Sequence, residues 1–152
     1  MKVVFLGTAA SKPTKERALS SIALQYKVKV DDSTGGENAQ RQMLSIIKPS
    51  KISSMFLTHF HGDHILGVPG LLMTMSLNER KELLDIYGPK KTVYFLKNFF
   101  KSGYFGITFD VIIKELKDKD IIDFKEFYVQ SFETNHGVHS LGYLFKEKDR
   151  RG

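Results

Sequence analysis

Thr58-His59-Phe60-His61-Gly62-Asp63-His64 follows directly on the apolar run Met55-Phe56-Leu57. Three of the chain's five histidines and one carboxylate fall within six residues. Ile52 to Leu57 reads as a strand that carries this string at its C-terminal end. Residues two apart on a strand point the same way, so the imidazoles of His59 and His61 can face one metal ion. Gly62 is expected to permit a tight turn without a Cβ clash, after which Asp63 and His64 reverse direction and can face a second ion. Imidazole and carboxylate oxygen suit Zn2+, and also Mn2+ or Fe2+. Two ions ~3.5–4 Å apart can activate water at neutral pH and neutralise both the attacking and leaving oxygens of an in-line displacement at phosphorus. One His-x-His pair is more often an ordinary surface feature. The whole H-x-H-x-D-H string behind an apolar run points to metal-dependent hydrolysis.

The other two histidines lie in Thr134-Asn135-His136-Gly137-Val138-His139-Ser140. His136 follows the apolar strand Phe127 to Phe132 and precedes a glycine, again a strand-end setting. It is read as a further ligand, because His59 and His61 alone leave the first ion under-coordinated. His139 either lines the site or ends a turn, and the turn is the favoured reading.

Working outward, Val3 to Leu6, Ser21 to Tyr26 and Val28 to Val30 are expected strands. Gly7 to Pro13 is a small-residue loop, and Asp31 to Gly36 a turn. Glu37 to Ile47 carries Met43, Leu44 and Ile47 at helical spacing and is ended by Pro49. Ile65 to Met75 and Lys90 to Ser102 read as helices. Asp85 to Tyr87, Phe109 to Leu116 and Leu141 to Phe145 read as strands. Strands that alternate with helices, together with antiparallel-looking runs, imply an α+β fold of mixed sheets with covering helices.

A chain of 152 residues with 41% hydrophobic and 26% charged residues can bury one domain core. No apolar run reaches the ~18 residues of a membrane span, so no membrane partner is expected. The absence of cysteine excludes disulfides and thiolate zinc sites, and it favours the cytoplasm. The net charge of +6 suits a polyanionic partner, although its spread along the chain locates no site.

The string Thr58 to His64 resembles the signature of the metallo-β-lactamase superfamily, which implies an αβ/βα sandwich. Val4 to Thr8, Pro13-Thr14-Lys15-Glu16-Arg17, Ser20 to Leu24, Glu37 to Met43, Gly62 to Gly70, Ile86-Tyr87-Gly88-Pro89 and His136-Gly137 with Leu141-Gly142-Tyr143 narrow the resemblance to the ribonuclease Z family. That family removes the 3′ trailer from precursor tRNA. The resemblance implies two Zn2+ per complete active site. His59, His61 and His136 match ligands of one, and Asp63 and His64 match ligands of the other. Asp63 also takes the place of the catalytic carboxylate, as general base or as the group that orients the attacking water. A supporting aspartate of the family matches either Asp31 or Asp32. Lys15 and Arg17 are candidates for RNA contact. Ribonuclease Z continues for about as long again beyond the matching region. Residues 1–152 are therefore expected to be the N-terminal half of such a domain, with one apolar sheet face lacking its cover. Precursor tRNA is the implied substrate, and association as a homodimer or with a C-terminal half is the implied assembly. The alternatives are another hydrolase of the superfamily, such as a thioesterase or lactamase, and a non-catalytic binding or regulatory subunit.

Overall fold

Period-two alternation of apolar side chains builds most of the molecule, seen in a computed structural model described for residues 1–26, 29–32, 36, 38–103 and 106–149. Strands β1 (Lys2–Gly7), β2 (Ser21–Tyr26), β3 (Lys29–Asp32), β4 (Ile52–Phe56), β5 (Leu84–Gly88) and β6 (Val111–Glu115) form one sheet in that order. The pairs β1–β2 and β2–β3 are antiparallel, and the remaining neighbours are parallel. Strands β7 (Ile121–Asp123), β8 (Phe127–Glu133) and β9 (Leu141–Glu147) form a second, antiparallel sheet. The helices are α1 (Ala39–Ile46), α2 (Gly62–Ile65), α3 (Gly67–Leu77) and α4 (Thr92–Lys101), with a 3-10 turn at Pro49–Lys51.

The two faces of the large sheet bury different chemistry. Met55 and Leu57, then Leu84 and Ile86, turn to the helices, where they meet Met43, Val68, Leu72, Met75 and Leu96. Phe56 and Tyr87 turn the other way and join Tyr26, Phe127, Val129 and Leu141 between the sheets. Ring pairs knit that second layer: Phe56–Tyr87 at 4.9 Å, Phe56–Tyr143 at 5.2 Å and Phe127–Phe145 at 4.3 Å between centroids. Each such pair adds roughly 0.5–1.5 kcal/mol beyond burial.

Several expectations are corrected. The second sheet does cover the inner face of the first, so that face is not bare throughout. Open apolar surface remains at β1, where Val3 and Phe5 are 47% and 64% exposed, and on the outer face of the second sheet, where Ile121, Phe132 and Leu144 are exposed. Asp31 and Asp32 belong to β3 rather than to a turn, because parallel pairing with β4 extends the strand through them. Their side chains, and most of the expected turn beyond them, lie outside the described residues. The expected single helix from Ile65 is two helices, α2 and α3, which meet at Leu66. No helix among the described residues is long and apolar enough to cross a membrane.

Candidate metal centre

The end of β4 is held from both sheets at once. The Leu57 N–H donates to Tyr87 O at 2.8 Å, and the Leu141 N–H donates to Thr58 O at 2.9 Å. The Tyr143 hydroxyl donates to Leu57 O at 2.6 Å. Burial pushes that phenol above its ordinary pKa, so it stays a donor throughout the neutral range. The two peptides that launch the histidine string therefore bond to β5 on one side and β9 on the other. Position is set before any ligand side chain is considered.

From this base the chain runs through His59 and His61 into α2, where the His64 N–H donates to His61 O at 2.9 Å. The His59 and His61 ring centroids are 4.8 Å apart, and His136 arrives from the loop between β8 and β9, 4.7 Å from His59 and 4.9 Å from His61. One ring nitrogen from each of His59, His61 and His136 lies within 4.8 Å of the others. Nε2 of His136 is 3.1 Å from Nδ1 of His61, close to the spacing of two nitrogens that each sit ~2.0–2.1 Å from one zinc.

His59 is the buried member, 6% exposed. Its Nδ1 lies 2.9 Å from Thr58 Oγ1, and its Nε2 is buried with no hydrogen-bond partner. With the proton on Nδ1 donated to Thr58, Nε2 presents a bare lone pair. Burial, reinforced by the neighbouring His64, His136 and His61, pulls the His59 pKa down to about 4. The ring is thus neutral at pH 7 and ready to ligate without first losing a proton. A buried, unpartnered imidazole nitrogen facing two others is what a cation site requires, and these residues fit one.

Asp63 and His64 form the adjoining half. His64 Nε2 lies 3.4 Å from Asp63 Oδ2, and the His64 ring centroid is 4.2 Å from that of His59. Burial lowers the His64 pKa against the opposing pull of Asp63, and His64 Nδ1 is a second buried nitrogen without a partner. All five expected ligands line one cleft of about 850 Å3, which Ala10, Ser11, Ser140 and Leu141 help to close. His139 stands apart from the three-histidine group and pairs with Glu133 at 3.5 Å.

Gly62 does not act as expected. It opens α2 with no positive φ, and an added Cβ would meet only the flexible Leu66 side chain, at 3.2 Å. Gly36 is the constrained position near the site. A Cβ there would lie 2.5 Å from Ser20 O and 3.2 Å from the Asp63 carbonyl. Lys15 and Arg17 are exposed and line a separate basic cleft of about 300 Å3 with Arg41 of α1. Thr58, Tyr143 and the Thr134–Ser140 hydroxyl pair, 2.8 Å apart, were not anticipated as supports of the site. Only Thr58 carried a local signal, a hydroxyl immediately before the first histidine.

The metallo-beta-lactamase superfamily model matches residues 32–149. The chain belongs to this superfamily. Among metallo-β-lactamase relatives, the ribonuclease Z of Pyrococcus horikoshii is 49% identical over 100% of this chain and 50% of its own length. The ribonuclease Z of Thermococcus kodakarensis is 45% identical over 100% of this chain and 48% of its own length. The chain thus spans about half the length of these relatives. The crystal structure of human tRNase Z, short form, superposes with a TM-score of 0.87 and 30% identity over 97% of this chain and 64% of that one.

Proposed function

We propose that the chain forms the N-terminal half of a zinc-dependent endonuclease that removes the 3′ trailer from precursor tRNA in the cytoplasm. The observation that carries this reading is the convergence of His59, His61 and His136 within 4.8 Å, in a chain 49% identical to a ribonuclease Z. His59, His61 and His136 would hold one cation, and Asp63 with His64 would contribute to a second. A bound divalent cation supplies Lewis acidity toward a phosphoryl oxygen and activation of water at neutral pH.

The chain's own residues do the rest. Thr58 fixes the His59 tautomer and ring plane. Asp63, which lines the same cleft as the three histidines, would orient the attacking water. The cleft, open on one side, admits a phosphodiester, while Lys15 and Arg17 take phosphates further along the RNA. The remaining ligands would come from a C-terminal half, or the working assembly would be a homodimer.

The test is metal content and cleavage of precursor tRNA by the purified chain. It is run alone and with the part of the Pyrococcus horikoshii ribonuclease Z that the chain does not match. The expected result is zinc uptake by the chain alone and a single cut at the trailer in the mixture. A zinc-loaded mixture that hydrolyses a small thioester but leaves precursor tRNA intact would overturn the proposal.

A further inference from the structure

A second cleft, of about 450 Å3, opens beside the histidines and is lined by Phe60, Lys90, Lys91, Tyr94, Phe95 and His139, among others. It is physically joined to the metal centre. Phe60 stands between His59 and His61 in the chain, and His139 lies three residues after His136. The Phe60 ring packs on Phe95 of α4 with centroids 5.6 Å apart, which fixes an apolar floor. Tyr94, one residue earlier on the same helix, is 71% exposed. A lone exposed tyrosine or a pair of surface lysines means little. Here both rim one concavity whose lining contains no carboxylate.

The backbone supplies an independent observation. Lys91 sits at φ 84° and ψ 1° immediately before α4. This left-handed conformation is unfavourable for a side chain and natural for glycine. Asn38, Glu79 and Lys119 share this conformation; what sets Lys91 apart is that it lines this cleft.

We propose that this cleft binds unpaired RNA nucleotides next to the cleaved bond, with a base stacked on Tyr94 above the Phe60–Phe95 floor and a phosphate held by Lys90 and Lys91. The inference rests on the RNA-cleaving reading given above and extends it from the scissile phosphate to the single-stranded trailer. Aromatic faces are open only to a base that has left its stack, which selects single strand over duplex.

The test is fluorescence anisotropy of the purified chain with a short single-stranded ribo-oligonucleotide, a blunt RNA hairpin and a precursor tRNA. Tyr94→Ala is expected to weaken single-strand binding by about five-fold or more, and Tyr94→Phe to preserve it. Lys91→Gly should flatten the log–log salt slope by about 0.7 while raising the melting temperature. Lys119 provides a matched control, since it is also left-handed, at φ 66°, and 82% exposed, but lies in the turn before β7. Lys119→Gly removes the same charge and the same strain, and should raise the melting temperature without changing RNA affinity. Equal RNA affinities for Lys91→Gly and Lys119→Gly, or an unaltered Tyr94→Ala, would overturn the cleft assignment. Should wild type bind precursor tRNA while every cleft variant binds equally well, only this inference falls. Should wild type bind no RNA at all, the RNA reading falls and takes the cleft with it.

Discussion

His59 sits at the end of a strand bonded from both sheets, whereas His136 sits in a continuous exposed stretch, 132–139. Both deliver a ring nitrogen to the same point. The first is positioned by the fold itself: Thr58 and Leu57 are fixed by β5, β9 and Tyr143. The second is positioned by a loop closed at its base by the Thr134 N–H bond to Ser140 O, 3.0 Å, and by the hydroxyl contact of the same two residues. A cation centre is thus assembled from one donor segment fixed by both sheets and one carried on an exposed loop, where fixing a residue costs about 1–2 kcal/mol.

The sharpest way to break this contrast is to remove one ligand from each side. His59→Ala should lower zinc affinity by more than the ~10–100-fold typical of losing an outer partner. His136→Ala should cost on the order of 10-fold less than that, because ~1–2 kcal/mol of loop ordering is then no longer required. Competition titration with a zinc indicator reads both, and equal losses would undo the distinction. Next in size is Thr58→Val, which keeps the shape but frees the His59 ring. About a 10-fold loss of zinc affinity is expected, with little change in melting temperature.

A smaller effect concerns protons. His59 has an ordinary pKa of 6.5 when unfolded and about 4 when folded. Between those values the unfolded chain binds a proton that the folded chain refuses. This contribution to stability is therefore complete above pH 6.5 and is lost as pH falls through 6.5 toward 4. Thermal melts of metal-free protein should show that decline, and His59→Gln should make it shallower. A wild-type profile as flat as that of His59→Gln would contradict the burial argument. Smallest of all, Thr134→Val should weaken zinc binding by no more than a few-fold, since a single neutral hydroxyl bond such as that to Ser140 contributes only about 0.5–1.5 kcal/mol. A loss as large as that of Thr58→Val would make the loop as preformed as the turn.

Those two segments also differ in how openly the sequence declared them. The string from His59 to His64 could be read locally because strand periodicity and donor spacing coincide within a few residues. His136 needed the first cluster to give it meaning. Strand β7 escaped notice because Ile121–Asp123 is only three residues long, and its pairing with β8 makes it a strand. The break between α2 and α3 at Leu66 had a signal in Gly67 and Pro69, which the apolar run from Ile65 to Met75 outweighed. Tyr143 could not have been linked to Leu57 from the sequence. Eighty-six positions separate them, and only the stacking of the two sheets brings them together.

The Tyr143–Leu57 bond has one more implication. It spans the seam between the sheets at the residue from which the donor segment springs. Parting the layers would disperse the donors, so a bound cation favours the stacked sheets, and a strong chelator should lower the melting temperature without unstacking them.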